Sequence, residues 1–201
     1  TMTSPDLLRN RIALALSEIF VVSEVPQLEE YPLALANYYD MLLDNAFGNF
    51  RDLLYDVTMH PAMGVYLTHV NNPKANPATN QFPDENYARE VMQLFSIGLY
   101  ELHPDGSHKL DSLNNPIPTY DNTDIENLAR FFTGLSYGDA FLFFGEPLSE
   151  LSFTVPMKMF NTYHEPGDKY LPDSTLVPAQ QPVNGMHDIN AALDWLYHHP
   201  N

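Results

Sequence analysis

The chain is 201 residues long and strongly acidic, with 26 Asp and Glu against 9 Lys and Arg and a formal net charge of −17. A chain of this length can bury a sizeable core, and its 44% hydrophobic content rules out wholesale disorder. The charge argues against nucleic acid and anionic membranes as partners, since both require cationic patches, and the absence of Cys removes disulfides and thiolate chemistry. No apolar run approaches the roughly 20 residues of a bilayer span. No basic-then-apolar leader opens the sequence, so an export signal would have been removed or would lie outside it.

Taken in chain order, helix signals dominate. Ser4-Pro5-Asp6 offers an N-cap, a first-turn Pro and an acid, followed by Leu8, Ile12, Ala15, Leu16 and Ile19 at helical spacing. A second helix is expected over 31–47, with Leu35, Tyr38, Leu42 and Ala46 inward and Gly48 as its stop. Asn49 can cap a third, in which Phe50, Leu53, Leu54 and Val57 face the core. His60-Pro61 restarts the chain as a short helix through Met63, Val65, Tyr66 and Leu67, with His60 at the helix end. The Pro/Asn-rich stretch from Asn71 to Asn80 reads as a surface loop that forms neither helix nor ladder.

The helix of greatest interest is expected over 85–100, opening with Pro83-Asp84-Glu85-Asn86-Tyr87-Ala88-Arg89-Glu90. A long loop containing Pro104-Asp105-Gly106 and Pro116-Ile117-Pro118 follows. Thr123-x-x-Glu126 is a capping box for another helix, with Ile125, Leu128, Ala129, Phe132 and Leu135 as its apolar stripe. Between Tyr137 and Phe160 the period changes, and Phe141, Phe143, Leu151, Phe153 and Val155 suggest a short β-hairpin around 140–156. The segment from His164 to Gly185 is irregular, and a last helix runs from Asp188 to about His198, carrying Ile189, Ala192, Leu193, Trp195 and Leu196. The expected fold class is all-α, a single domain over 1–201 with long loops, and loops of that length are commonly functional or disordered.

Two constellations carry possible chemistry. On a helical wheel Glu85, Asn86, Arg89, Glu90 and Gln93 share one arc, and Glu85 and Arg89 stand in the favourable order for an i,i+4 ion pair. Such a stripe suits a solvated face equally with a pocket wall in which Arg89 holds Glu85 ionised and Glu90 acts as a base or oxygen ligand. The second is Tyr163-His164-Glu165-Pro166-Gly167-Asp168-Lys169, which sets an imidazole, two carboxylates and an amine on one turn. His164 there is a candidate metal ligand or general base, against the reading of an exposed turn with local pairing. No zinc-protease, di-iron, EF-hand, phosphate-loop, dinucleotide or nucleophile-elbow signature is present.

Several ordered blocks resemble the bacterial family known as domain of unknown function 1800. These are Arg11-Ile12-Ala13-Leu14-Ala15-Leu16-Ser17-Glu18-Ile19-Phe20, Ala46-Phe47-Gly48-Asn49-Phe50-Arg51-Asp52-Leu53-Leu54 and His60-Pro61-Ala62-Met63-Gly64, followed by the Pro83–Glu90 stretch. Leu128-Ala129-Arg130-Phe131-Phe132-Thr133-Gly134 and the His164–Lys169 turn complete the set. The family's turn reads His-Asp-x-Gly-x-Lys, and this chain has Glu165 in the Asp place. The resemblance implies a helical domain, often within larger exported bacterial proteins, hence a periplasmic or extracellular location, with sequence continuing at either end. It implies no activity.

The resulting expectation is an exported scaffold or binding domain. In it Glu85, Glu90, His164 and Glu165 form a buried network, the 85–100 and 123–135 helices pack together, and Arg89 and Arg130 reach the turn. The competing expectation is a metal-assisted hydrolase. There His164, Glu165 and Glu90 hold a divalent ion, Glu85 is the base, and Arg89 or Lys169 stabilises an oxyanion. A third is a subunit of an extracellular assembly, with a protein partner or a second copy contacting its aromatic, acidic surface.

Overall fold

The computed structural model describes residues 6–201, so the expected cap at Ser4 and Pro5 lies outside them. The chain is mainly helical, and its strand content among the described residues is two ribbons with two residues per strand. They pair β1 (Leu135–Ser136) with β2 (Lys158–Met159), and β3 (Lys169–Tyr170) with β4 (Leu176–Val177). The fold divides into two compact units: one takes the chain up to Asn71 together with Leu135–Lys158, the other Asn72–Gly134 with Met159–Asn201.

In the first unit, α1 (Leu7–Ile19) packs on α3 (Pro32–Asp44), with the single turn α2 (Pro26–Glu29) between them in sequence. The expected stripe of α1 is not the one that is buried. Leu8 and Ile19 are 64% and 48% exposed, whereas Ala13 and, just past the helix, Phe20 are enclosed. Two polar contacts tie this segment to α3. Arg9 donates to the Leu43 carbonyl at 2.8 Å, and the Tyr38 hydroxyl donates to the Phe20 carbonyl at 2.9 Å.

Pro32 fits the first turn of α3, where a missing N–H costs nothing, and a 3₁₀ turn over Asn45–Phe47 leads to Gly48. Ala34, Tyr38 and Leu42 are its buried residues, while Leu35 is only half-buried. α4 (Phe50–Met59) begins as expected, the Asn49 side chain accepting from the Arg51 N–H at 2.7 Å. Leu53, Leu54 and Val57 are buried, but Phe50 is exposed. α5 (Pro61–Tyr66) follows directly, capped by His60.

The hairpin expected around 140–156 does not form. Among the described residues that stretch holds only a 3₁₀ helix over Glu150–Thr154, capped by Ser149. Of the residues that suggested it, Phe141 and Leu151 are 87% and 64% exposed, while Phe143 and Phe153 are buried. Alternation failed as a guide because the backbone is bent rather than extended here: Phe144 sits at φ +64° and Ser152 closes a side-chain loop by donating to Asp139 at 2.7 Å.

In the second unit, α6 spans Asn86–Gln93, far shorter than the expected 85–100. The Leu94 and Phe95 N–H groups both turn to the Glu90 carbonyl, and the Ser96 hydroxyl donates to the Val91 carbonyl. Gly98, at φ +72°, sends its N–H back to the Met92 carbonyl at 2.9 Å. Serine competing for a backbone carbonyl and a left-handed glycine together end the helix. Residues 99–119 then make three short passes that bond to one another in a ring: Glu101 N–H to Ile117 O, Ile117 N–H to Lys109 O, and Lys109 N–H to Glu101 O.

α7 (Asn122–Ala129) packs on α6 as expected, with the Tyr87 and Phe132 rings edge-to-face at 4.9 Å. Its capping box is Asp121 with Asp124, two residues before the expected Thr123–Glu126 pair. A 3₁₀ turn over Arg130–Phe132 extends it, so that Leu135 is buried as part of a strand rather than of this helix. α8 (Gly185–His198) starts ahead of the expected Asp188, where the Asn184 side chain accepts from the His187 N–H. The Asn71–Asn80 loop is less bare than expected: it holds a 3₁₀ turn over Pro77–Thr79 and one bridge between Asn76 and Gln81.

Candidate functional site

The second unit contains both sequence constellations, and they serve different ends. The His164–Lys169 turn runs from a short 3₁₀ turn into β3 and lies against Thr133 and the start of α8. The approach is close because two glycines permit it. A Cβ on Gly134, which sits at φ +85°, would fall 2.9 Å from the His164 backbone nitrogen, and one on Gly185 would fall 2.8 Å from the His164 ring.

His164 is fully buried, and both ring nitrogens are engaged. Nδ1 lies 2.8 Å from the Thr133 carbonyl oxygen and Nε2 lies 3.0 Å from Asp188 Oδ2. Lys169, also buried, donates to Asp188 Oδ2 at 2.6 Å and to the carbonyls of Glu165 and Gly167. Those contacts use all the hydrogens of an ammonium. Burial raises the Asp188 pKa, but hydrogen bonds from His164, Lys169 and His187 outweigh it and bring it down to about 2. The Thr133 hydroxyl accepts from the Glu165 N–H at 3.0 Å and donates to the Arg130 carbonyl at 2.8 Å.

This is a saturated ionic lock. It ties the turn to the first turn of α8 and leaves neither His164 nor Lys169 a free donor or lone pair. Asp188 and Thr133 are the members that sequence reasoning missed. Asp188 looked like an ordinary helix-start acid. The signal that could have found it is the Lys169 ammonium itself, since a buried cation requires a carboxylate partner.

The helical stripe takes no part in this lock. Glu85 pairs with Arg89 at 3.2 Å, both partly exposed, so Arg89 is engaged by its own helix rather than by the turn. Arg130 does reach the turn, donating to the Asp168 carbonyl at 2.9 Å and lying 3.8 Å from Glu165 Oε1. Glu165 Oε2 also accepts from the Ala75 N–H at 3.3 Å. Glu90 stands apart: its Oε2 is buried without a hydrogen-bond partner, as is the Tyr120 hydroxyl, whose pKa is raised by burial and by the Glu90 charge, with Arg89 opposing.

The expected network of Glu85, Glu90, His164 and Glu165 is therefore replaced by His164, Lys169 and Asp188. Among the described residues no three His, Asp or Glu side chains are placed to hold one metal ion, so Glu90, His164 and Glu165 do not converge on a common centre.

What Glu85 and Glu165 share is a cleft of about 610 Å³. Glu126, Arg130 and the exposed Phe82 also line it. Glu126 has no ion pair among the described residues, which leaves an uncompensated carboxylate in the wall.

The family described as protein of unknown function (DUF1800) matches the chain over residues 1–201, its whole length. The chain belongs to that family. The DUF1800 blocks map onto the elements that make the lock: Leu128–Gly134 supplies Arg130 and Thr133, and the turn supplies His164 and Lys169. The Glu165 side chain is outside the lock and faces the cleft instead. No curated protein and no solved structure matches the chain. No helix among its described residues is long and apolar enough to cross a membrane.

Proposed function

We propose that this DUF1800 chain is an exported binding domain that takes a basic side chain of a partner protein in the Glu85–Glu126–Glu165 cleft. The family resemblance supports the export. The carrying observation for binding is the division of labour in the second unit. The groups with catalytic promise, His164 and Lys169, are sealed and fully bonded, whereas the carboxylates of Glu85, Glu126 and Glu165 line an open cleft beside an exposed aromatic ring.

Glu126 supplies free negative charge, Phe82 a face on which a guanidinium can stack, and Arg130 sets the position of Glu165. The net charge of −17 draws basic partners toward the molecule. Glu85 is a binding-wall residue here, paired with Arg89, rather than one half of an acid–base couple.

The test is an amide-resolved NMR titration with end-blocked Ala-Arg-Ala against Ala-Glu-Ala. Saturable shifts at Phe82, Glu126 and Glu165 with the first peptide alone are expected, weakened roughly tenfold by Glu126→Gln with Glu165→Gln. Equal response to both peptides, or none, overturns the reading.

A further inference from the structure

A second cavity, in the first unit, has a composition unlike the cleft. It encloses about 250 Å³ between α3, α4 and the 3₁₀ helix over Glu150–Thr154. Its deep walls are the buried Met59 and Phe153, with Met41 and Tyr55 above them. The Phe153 ring packs 4.9 Å from that of Tyr31 and 5.7 Å from that of Tyr137. This is the apolar body with a few placed polar groups that small-molecule sites share.

Those polar groups have a definite sign. His60 is the one base in the lining, and it is buried with its tautomer fixed: Nδ1 accepts from the Ala62 N–H at 3.1 Å, so Nε2 carries the hydrogen and donates to Asn37 Oδ1 at 3.1 Å. Both of its nitrogens are used within the protein, and burial lowers its pKa to about 4, so it adds no positive charge at neutral pH. Every other charged group in the lining is a carboxylate: Asp40, Asp44 and Asp56.

Asp56 is partly satisfied, accepting from the Asn45 amide at 2.8 Å. Asp40 and Asp44 are exposed to solvent and have no side-chain partner among the described residues. They stand one turn apart on α3 with no ion pair among the described residues, a like-charge spacing that costs helix stability.

We propose that this cavity is a binding site for a small organic cation, a primary amine carried on a short aromatic or apolar body. The body occupies the space bounded by Met59, Tyr55 and Phe153. The ammonium lies toward the exposed side, among Asp40, Asp44 and Asp56, and relieves the repulsion between the first two. A carboxylate ligand is disfavoured by the same groups, and a neutral one gains only the apolar contact.

Phenethylamine is the probe, and 2-phenylethanol is its neutral counterpart of matching shape. In an amide-resolved NMR titration of the intact chain, phenethylamine is expected to give saturable shifts at Met41, Tyr55, Met59 and His60. The alcohol should bind at least several-fold more weakly. Asp40→Asn with Asp44→Asn should weaken the amine roughly tenfold or more and leave the alcohol unchanged.

That double variant removes a repulsion, so it is expected to melt no lower than the parent, and its fold is checked by the same spectra. Glu126→Gln, in the other unit, should not alter the response, which separates this site from the cleft. The proposal is overturned by absence of saturation, by equal affinity for amine and alcohol, or by undiminished amine binding in the Asp40/Asp44 variant.

Discussion

His60 joins two helices through one ring. It ends α4, caps α5 by accepting from the Ala62 N–H, and reaches Asn37 on α3. Because burial lowers its pKa from 6.5 to about 4, the folded state binds fewer protons than the unfolded chain between those values. Stability contributed by the neutral ring is therefore complete above pH 6.5 and lost as pH falls toward 4, with a slope of up to about 1.4 kcal/mol per pH unit. His60→Asn keeps a capping oxygen and cannot titrate. Denaturant midpoints measured from pH 7 to 4 should fall for the parent and stay flatter for the variant; parallel curves would show that His60 is not the group responsible.

Lys169 makes the complementary case. Lys169→Met keeps the length of the side chain but leaves Asp188 short of a cation and two carbonyls unbonded in the interior. A loss of about 3 kcal/mol is expected from urea unfolding. A change below about 1 kcal/mol would mean the ammonium is solvated rather than locked. The chemistry-bearing character of His164 and Lys169 was legible in their spacing on a Gly/Pro turn. Their use was not, since Asp188 arrives from a distant helix and no local pattern records that meeting.

At the level of elements, starts were easier to read than stops. Asn49 and Pro61 open α4 and α5 where the capping and first-turn preferences place them. The end of α6 was missed because apolar spacing runs on through Leu94, Phe95 and Leu99, while the decisive signals, Ser96 and Gly98, act through the backbone. For α7 the expected box was Thr123–Glu126, and the one that forms is Asp121–Asp124, two residues earlier. Asp121 accepts from the Asp124 N–H at 3.1 Å, and Asp124 accepts from the Asp121 N–H at 2.9 Å. Asp121→Ala should therefore cost about 1 kcal/mol in chemical denaturation, and Thr123→Ala much less. The reverse order would place the cap at Thr123.

For the molecule as a whole, helical periodicity and an acidic composition carry the mainly helical class and the expectation of basic rather than anionic partners. The ribbons, at two residues per strand, are too short to leave an alternating pattern, and the ring of passes over 99–119 is held by single backbone bonds that any side chains could make. Family membership was also legible, because ordered blocks survive in the sequence whether or not their contacts are known.

By itself, then, the amino-acid order determined the longer helices, the caps of α4 and α5, the charge and the family, all of which depend on residues close together along the chain. Which face of α1 is covered, which acid meets His164 and Lys169, and which carboxylates line a cleft were decided only by tertiary packing. Those outcomes depend on burial, where an ionic group must find its partner from any part of the chain or remain in water.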